Sequence, residues 1–173
     1  MIPKTIFQTW RTKEPNVSID NLRKTWINKN PEFNYEYYDD NDIKSFIETH
    51  FDERIKKCYG RILNGSLKAD FFRYCIIYIK GGLYIDIDIS CEKPLTTLFN
   101  FDDIHLITTT DNCRSNKNDR IYQAFLGGEA NCMLFMNVIN HICTSIETQK
   151  HKSNMFELSG PTVFSRLLKE YMN

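Results

Sequence analysis

The hydrophobic positions of this chain recur with two spacings, one typical of strands and one typical of helices. In the first third they predict a strand over residues 3–10, a helix from the cap Ser18 to the Asn30-Pro31 pair, and a strand over 33–38. Two further helices are predicted between residues 40 and 63. Strands that alternate with helices usually belong to a parallel sheet, so this order predicts an α/β architecture.

The remaining residues continue the alternation. Ser66 is expected to cap a helix that ends at Lys80-Gly81, and the β-branched run over 83–89 predicts a strand. The later segments are predicted as strands over 104–109 and 121–126, and as helices over 132–148 and after Ser159-Gly160-Pro161. We therefore expect one α/β domain over residues 1–173, with a mostly parallel central sheet flanked by helices.

Charge and cysteine content narrow the function classes. The 22 Lys and Arg residues balance 22 Asp and Glu, and a net charge of +0 argues against a nucleic-acid partner. No apolar stretch can form a transmembrane segment, and the first residues lack the apolar core of a signal peptide, so a cytoplasmic location is expected. The six cysteines form no C-x-x-C pair, which predicts mostly free thiols.

The clearest candidate chemistry is a pair of carboxylates in the predicted strand 83–89. Asp86 and Asp88 alternate along that strand, so they are expected on one face together with Tyr84. Two such carboxylates repel each other and are costly to remove from water. A strand with one solvated face would explain them, but so would a bound Mg²⁺ or Mn²⁺ whose coordination is completed by phosphate groups.

A second polar pair lies on the apolar helix before that strand. Asp70 and Arg73 are three positions apart, so they share a helix face and can form an ion pair. On an exposed surface the pair would contribute little to stability. In a buried helix it would instead offer hydrogen-bond donors and acceptors to a polyhydroxylated ligand.

These motifs resemble a known family. The run K-A-D-F-F-R-Y-x(4)-Y-x-x-G-G-L-Y-I-D-I-D, from Lys68 to Asp88, is similar to the signature of glycosyltransferase family 32. That family consists of sugar transferases with a DxD motif and is related to the catalytic domains of clostridial glucosylating toxins. Further matches are I-P-K-T-I-F-Q-T-W over 2–10, N-P-E-F over 30–33, Y-D-D over 38–40, K-P-L over 93–95 and G-P at 160–161.

The resemblance implies a GT-A fold and a metal-dependent enzyme. It would move a sugar from a UDP- or GDP-linked donor to a hydroxyl of a glycan, lipid or protein, with retention of anomeric configuration. By motif position, Trp10 would stack near the base, and Asp70 and Arg73 would hold the sugar hydroxyls. Asp86 would contact ribose or the metal, and Asp88 would ligate the Mn²⁺ or Mg²⁺ ion directly. Asp70, Arg73 and Asp88 are thus the expected catalytic residues.

Some features depart from the family pattern. Gln123 stands where members commonly have Asn, Phe7 stands where many have His, and the chain stops soon after Gly160-Pro161. The domain is therefore expected to be either minimal or shortened at its C-terminus. This leaves open a nucleotide-sugar-binding module with weak or no turnover.

Two mechanistic alternatives also stay open. The run D-I-D-I-S over 86–90 loosely matches the nucleophile loop of Mg²⁺-dependent phosphohydrolases, although that loop normally follows a first strand. A retaining transferase could use a carboxylate nucleophile, for which Asp111, Asp119 and Glu129 are candidates, but nothing in the sequence distinguishes one of them. Front-face attack assisted by the departing diphosphate is the favoured expectation.

Overall fold

A five-stranded mixed sheet lies at the centre of the computed structural model, which describes residues 1–110, 121–148 and 159–173. The strands are β1 (Thr5–Thr9), β2 (Asn34–Tyr38), β3 (Gly82–Ile85), β4 (Leu106–Thr110) and β5 (Ile121–Gly128). Their spatial order is β2-β1-β3-β5-β4. β1 pairs parallel with β2 and β3, whereas β5 pairs antiparallel with β3 and β4. Four strands therefore share one direction, as expected, but the reversed β5 makes half of the pairings antiparallel.

Helices cover both faces of this sheet. Within the described ranges they are α1 (Val17–Lys29), α2 (Asp40–His50), α3 (Glu53–Arg61), α4 (Gly65–Lys80), α5 (Met133–Glu147) and α6 (Pro161–Met172), with a short 3₁₀ helix at Leu95–Thr97. The α2–α6 side holds the larger apolar core, which includes Phe72, Tyr84 and Phe135. A smaller core around Trp26 and Leu83 lies on the α1 side. None of the described helices is long and apolar enough to cross a membrane.

Two helices begin earlier than predicted. The side chain of Asn16 accepts a hydrogen bond from the Ile19 N–H at 3.0 Å, so Asn16 and not Ser18 caps α1. The side chain of Asn64 likewise accepts from the Ser66 N–H at 2.9 Å and caps α4. Asparagine is at least as good an N-cap as serine, and a cap two residues earlier lengthens each helix by about half a turn. The predicted caps at Ser18 and Ser66 were therefore wrong.

The connection from α4 to β3 is a tight glycine turn. Helix α4 ends at Lys80 as predicted, and Gly81 and Gly82 have φ values of 66° and 119°. A Cβ atom on Gly82 would lie 2.8 Å from the Thr5 carbonyl oxygen and 2.8 Å from the Phe7 ring. Glycine is required because only it tolerates both the backbone angle and this close approach to β1.

The strand that carries the DxD motif is shorter than predicted. β3 ends at Ile85, and the Ile89 N–H donates to the Asp86 carbonyl at 3.3 Å within a turn. The Asp86 carbonyl also accepts from the side-chain amide of Gln8 on β1 at 3.3 Å, while the Asp86 N–H donates to the Ala124 carbonyl of β5 at 2.8 Å. The expectation that Asp86 and Asp88 share a strand face was therefore wrong, because both lie beyond the carboxyl end of β3.

Candidate active site

All five predicted site residues line one cleft. The cleft has a volume of about 880 Å³ and lies at the carboxyl ends of β1 and β3. Its lining includes Trp10, Asp70, Arg73, Asp86 and Asp88. Ligands of α/β sheets commonly bind outside the carboxyl ends of the strands, where successive chain segments diverge. The structure thus brings the five residues together, and their joint action stays a prediction.

Arg73 lies at the centre of the polar groups in the cleft. Its Nη2 atom contacts Asp70 Oδ1 at 2.9 Å and Asp86 Oδ1 at 3.1 Å. Its Nη1 atom donates to the Gln123 carbonyl at 2.9 Å, and its guanidinium lies 5.0 Å from the Tyr84 ring centroid. The side chain is only 6% exposed, which excludes the alternative of a surface ion pair. The buried Nε atom has no partner among the described residues.

The surroundings of Asp86 raise the pKa of its carboxyl group. Burial raises the pKa of Asp86, the charge of Arg73 lowers it, and the nearby Asp88 raises it again. Burial by itself would lower the pKa of Arg73, but Asp70 and Asp86 more than compensate, so the net shift is upward. Arg73 is therefore a permanent cation, and its charge partly offsets the effect of burial on the pKa of Asp86.

The first strand brings an aromatic side chain to the same cleft. The backbone N–H of Trp10 donates to the Tyr38 carbonyl at 3.1 Å, which extends the pairing of β1 with β2 by one residue. The Trp10 ring is half-buried and lies 5.7 Å from the guanidinium carbon of Arg11. Below it, the Thr9 hydroxyl contacts the Tyr84 hydroxyl at 2.9 Å. The wall of the cleft therefore offers an indole face that an aromatic base could stack on.

The two DxD carboxylates differ in their surroundings. Asp86 is partly covered and engaged by Arg73, whereas the Asp88 side chain is exposed and has no hydrogen-bond partner within the described ranges. No group of three or more His, Cys, Asp or Glu side chains suited to a metal occurs in the described part of the chain. Two carboxylates nevertheless fit a Mg²⁺-like ion, because such ions often take one or two protein carboxylates plus substrate phosphates.

A hydrogen bond between Ser159 and Asp70 was not predicted from the sequence. The Ser159 hydroxyl donates to Asp70 Oδ2 at 2.9 Å, and Ser159 is only 1% exposed. Ser159 was noted only as the residue before a helix start, since its 89-residue separation from Asp70 hides the contact. The neighbouring Gly160 and Pro161 line the cleft, which places the late G-P match at the site.

Of the three carboxylates considered as nucleophiles, the structure describes Glu129 alone. Glu129 forms an ion pair with the Met1 amino group at 2.9 Å and contacts His105 at 2.8 Å, so it is not a wall residue of the cleft. Asp111 and Asp119 lie outside the described residues. Asp40, which belongs to the Y-D-D match over 38–40, also lines the cleft.

Comparison with known proteins identifies the family. Residues 5–125 match the family described as "Glycosyltransferase sugar-binding region containing DXD motif". The chain belongs to this family. The resemblance stated from the motifs is thereby confirmed, and the phosphohydrolase alternative loses its support. The match ends before Ser159, so the C-terminal contact with Asp70 lies outside it.

Three proteins with similar sequences show how much of this glycosyltransferase family member is matched. It is 32% identical over 100 residues to inositol phosphoceramide mannosyltransferase 3 of Schizosaccharomyces pombe, covering 58% of this chain and 28% of the relative. It is 34% identical over 99 residues to the initiation-specific alpha-1,6-mannosyltransferase of Candida albicans, covering 54% and 26%. It is 34% identical over 98 residues to the uncharacterized glycosyltransferase L373 of Acanthamoeba polyphaga mimivirus, covering 55% and 39%. The matched part is thus well under half of each relative.

The fold has a solved counterpart. The structure of PaToxG Glycosyltransferase superposes with a TM-score of 0.73 at 18% sequence identity, covering 98% of this chain and 69% of that one. This similarity confirms the expected GT-A-like α/β fold.

Proposed function

We propose that this chain transfers a sugar from a nucleotide-diphosphate donor to a hydroxyl acceptor. One observation carries the proposal: the aromatic, cationic and acidic residues expected from the DxD family pattern meet in a single cleft. That cleft lies where the strands end, and its volume of about 880 Å³ is within the usual range for small-ligand sites.

The residues divide between the two ends of the donor. Trp10 lies on the β1 side, where its ring would stack on the base. Asp70 and Arg73 lie on the α4 side, where a carboxylate and a guanidinium would hold sugar hydroxyls. The buried Arg73 Nε donor has no acceptor in the described chain, so a ligand oxygen there would remove a desolvation penalty. Asp86 and Asp88 lie beyond β3, near the expected diphosphate.

A divalent cation suits the DxD turn. Asp86 uses Oδ1 for Arg73, which leaves its second oxygen and both oxygens of the exposed Asp88 available as hard ligands. When bound, Mn²⁺ or Mg²⁺ would offset the charge of the diphosphate leaving group. The chain itself would hold the sugar through Asp70 and Arg73 and exclude water with the Tyr84 and Trp10 rings.

The donor sugar is proposed to be mannose, linked to UDP or GDP. The support is that two of the similar proteins are named mannosyltransferases, acting by name on inositol phosphoceramide and in alpha-1,6 linkage. The acceptor is accordingly a lipid-linked or glycan hydroxyl. Transfer is proposed to retain the anomeric configuration by front-face attack, and an inverted product detected by NMR would contradict this.

The test is ligand binding followed by turnover. Melting temperature is measured with UDP, GDP, UDP-glucose and GDP-mannose, each with and without Mn²⁺. A bound ligand stabilises the folded state, by about 2.7 kcal/mol at 100 times its dissociation constant. We expect a Mn²⁺-dependent increase for one nucleotide and a larger one for its sugar conjugate. Release of free sugar or transfer to an acceptor then separates an enzyme from a binding module.

Matched variants identify the metal-dependent part. Asp88→Asn and Asp86→Asn should each abolish the Mn²⁺-dependent increase, with the greater effect from Asp88→Asn because its carboxylate has no partner among the described residues. Asp103→Asn, at an exposed carboxylate outside the cleft, is the control and should leave the increase unchanged. An undiminished increase in both DxD variants would contradict the metal assignment.

A further inference from the structure

A closed ring of hydrogen bonds links the sugar-binding pair to the C-terminal segment. Asp70 Oδ1 contacts Arg73 Nη2, and Arg73 Nη1 donates to the Gln123 carbonyl. The Gln123 side-chain Nε2 donates to the Tyr74 hydroxyl and, at 3.0 Å, to the Ser159 carbonyl. The Tyr74 hydroxyl donates to that same carbonyl at 2.9 Å. The Ser159 hydroxyl closes the ring by donating to Asp70 Oδ2 at 2.9 Å.

The ring is buried except at one point. Arg73, Tyr74, Gln123 and Ser159 are all at most 6% exposed, whereas the Asp70 side chain is 21% exposed and lines the cleft. Buried polar side chains with satisfied bonds are held in one orientation, since breaking one bond leaves a group desolvated and unpaired. The ring therefore links the position of the C-terminal segment to Asp70, the carboxylate of the ring that lines the cleft.

We propose that Ser159 is a positioning residue that orients Asp70 toward the donor sugar. This rests on the proposed function, because it assigns to Ser159 a part in sugar binding at the same cleft. Both oxygens of Asp70 are held, one by Arg73 and one by Ser159, so its remaining lone pairs have fixed directions. A carboxylate fixed in this way accepts hydrogen bonds from hydroxyls at defined positions on the sugar ring. The segment that follows the family-matched residues thus becomes part of the sugar subsite.

Binding measurements test the sugar-specific part. Affinities for GDP and GDP-mannose, and for UDP and UDP-glucose, are measured with Mn²⁺ for the wild type and Ser159→Ala. We expect about a tenfold loss for the sugar conjugate that the wild type binds, which equals about 1.4 kcal/mol. Affinity for the matching nucleotide diphosphate should stay within twofold. Equal losses for both ligands, or no loss, would overturn the role of Ser159.

Ser165→Ala is the matched control. The Ser165 hydroxyl accepts from the Ile121 N–H at 3.0 Å and donates to the Pro161 carbonyl at 2.7 Å. It therefore connects α6, the helix that follows Ser159, to β5 without contacting Asp70. We expect Ser165→Ala to affect stability but to show no difference between sugar conjugate and free nucleotide. A sugar-specific loss in Ser165→Ala would mean that general loosening of the segment explains the result.

A second measurement keeps the inference separate from the proposed function. Urea unfolding is measured for Ser159→Ala, Asp70→Ala and the double variant. If the contact is formed, the effects of the two substitutions on the unfolding constant should not simply multiply. The change in the double variant should be about fivefold smaller than the product of the two single-variant changes. Multiplicative effects would overturn the inference even if nucleotide sugars bind. Coupling without binding of any of the four ligands would instead refute the proposed function and leave the contact established.

Discussion

Replacing Arg73 by methionine should destabilise the fold in a way that depends on pH. Methionine fills a similar volume, so the main loss is the charge that faces Asp70 and Asp86. Breaking a buried ion pair typically costs about 3–5 kcal/mol because a charge is left uncompensated. The two carboxylates are 21% and 30% exposed, which argues for the lower end, and the Gln123 carbonyl loses a donor worth about 1 kcal/mol. We expect a total loss of about 4 kcal/mol near pH 7.

The pH dependence distinguishes charge from packing. Burial already raises the pKa of Asp86, and Arg73 is the main opposing influence, so removing Arg73 should raise that pKa further. A carboxyl group whose pKa is higher in the folded state contributes its stability below the unfolded-state pKa and loses it as pH rises through the folded-state pKa. The destabilisation should therefore shrink on acidification, by about 1.4 kcal/mol for each unit by which the folded-state pKa rises.

The assay is urea unfolding followed by circular dichroism between pH 5 and pH 8. Arg54→Met is the matched control, because Arg54 pairs with Glu147 at 2.9 Å at an exposed position with 40% and 37% of the side chains exposed. Its loss should be much smaller than that of Arg73→Met, because exposed ion pairs contribute little. A loss below about 1 kcal/mol for Arg73→Met, or an equal loss at all pH values, would refute the electrostatic reasoning.

Three further outcomes follow from the geometry. Gly82→Ala should cost about 2–4 kcal/mol in urea unfolding, because the new Cβ atom meets the Phe7 ring at 2.8 Å at a positive φ; a loss under 0.5 kcal/mol would contradict this. Trp10→Ala should lower the affinity for the nucleotide diphosphate and for its sugar conjugate by the same factor in titration calorimetry. A loss of affinity confined to the sugar conjugate would contradict the stacking of Trp10 on the base. Tyr84→Phe should cost about 1 kcal/mol through the lost Thr9 contact, and an unchanged unfolding curve would show that the contact is neutral.

The order of elements could be predicted from sequence because it depends on local patterns. Strand-like and helix-like apolar spacings identified the five strands and six α-helices of the described ranges, and the Lys80-Gly81 stop was placed correctly, but the 3₁₀ helix at Leu95–Thr97 was not predicted. Reversal of β5 was not predictable, since direction depends on which existing edge a strand joins. The end of β3 was also missed, because the β-branched run continues to Ile89 whereas the backbone turns after Ile85.

The candidate site shows the same division between local and distant contacts. Asp70, Arg73, Asp86 and Asp88 lie within one short stretch, where helix spacing and a motif were sufficient to select them. Ser159 could not be found that way, because nothing local marks a serine that bonds a carboxylate 89 residues earlier. Alternation did suggest that the DxD carboxylates act together, but the reason was wrong, since a turn and not a strand face presents them.

The hydrogen-bond ring has a consequence for biosynthesis. A ribosome adds residues from the N-terminus, so Asp70 and Arg73 are made well before Gln123, and Ser159 comes later still. Until the segment that carries Ser159 and Phe164 folds back, the Tyr74 hydroxyl lacks its acceptor, the Ser159 carbonyl. The Tyr74 ring also lacks the stacked ring of Phe164, whose centroid lies 5.8 Å from its own. A nascent chain that has only reached residue 125 would carry the entire family-matched sequence and still expose this apolar surface. The proposed sugar subsite would thus be complete only after the residues around Ser159 have been translated and have folded back onto Asp70.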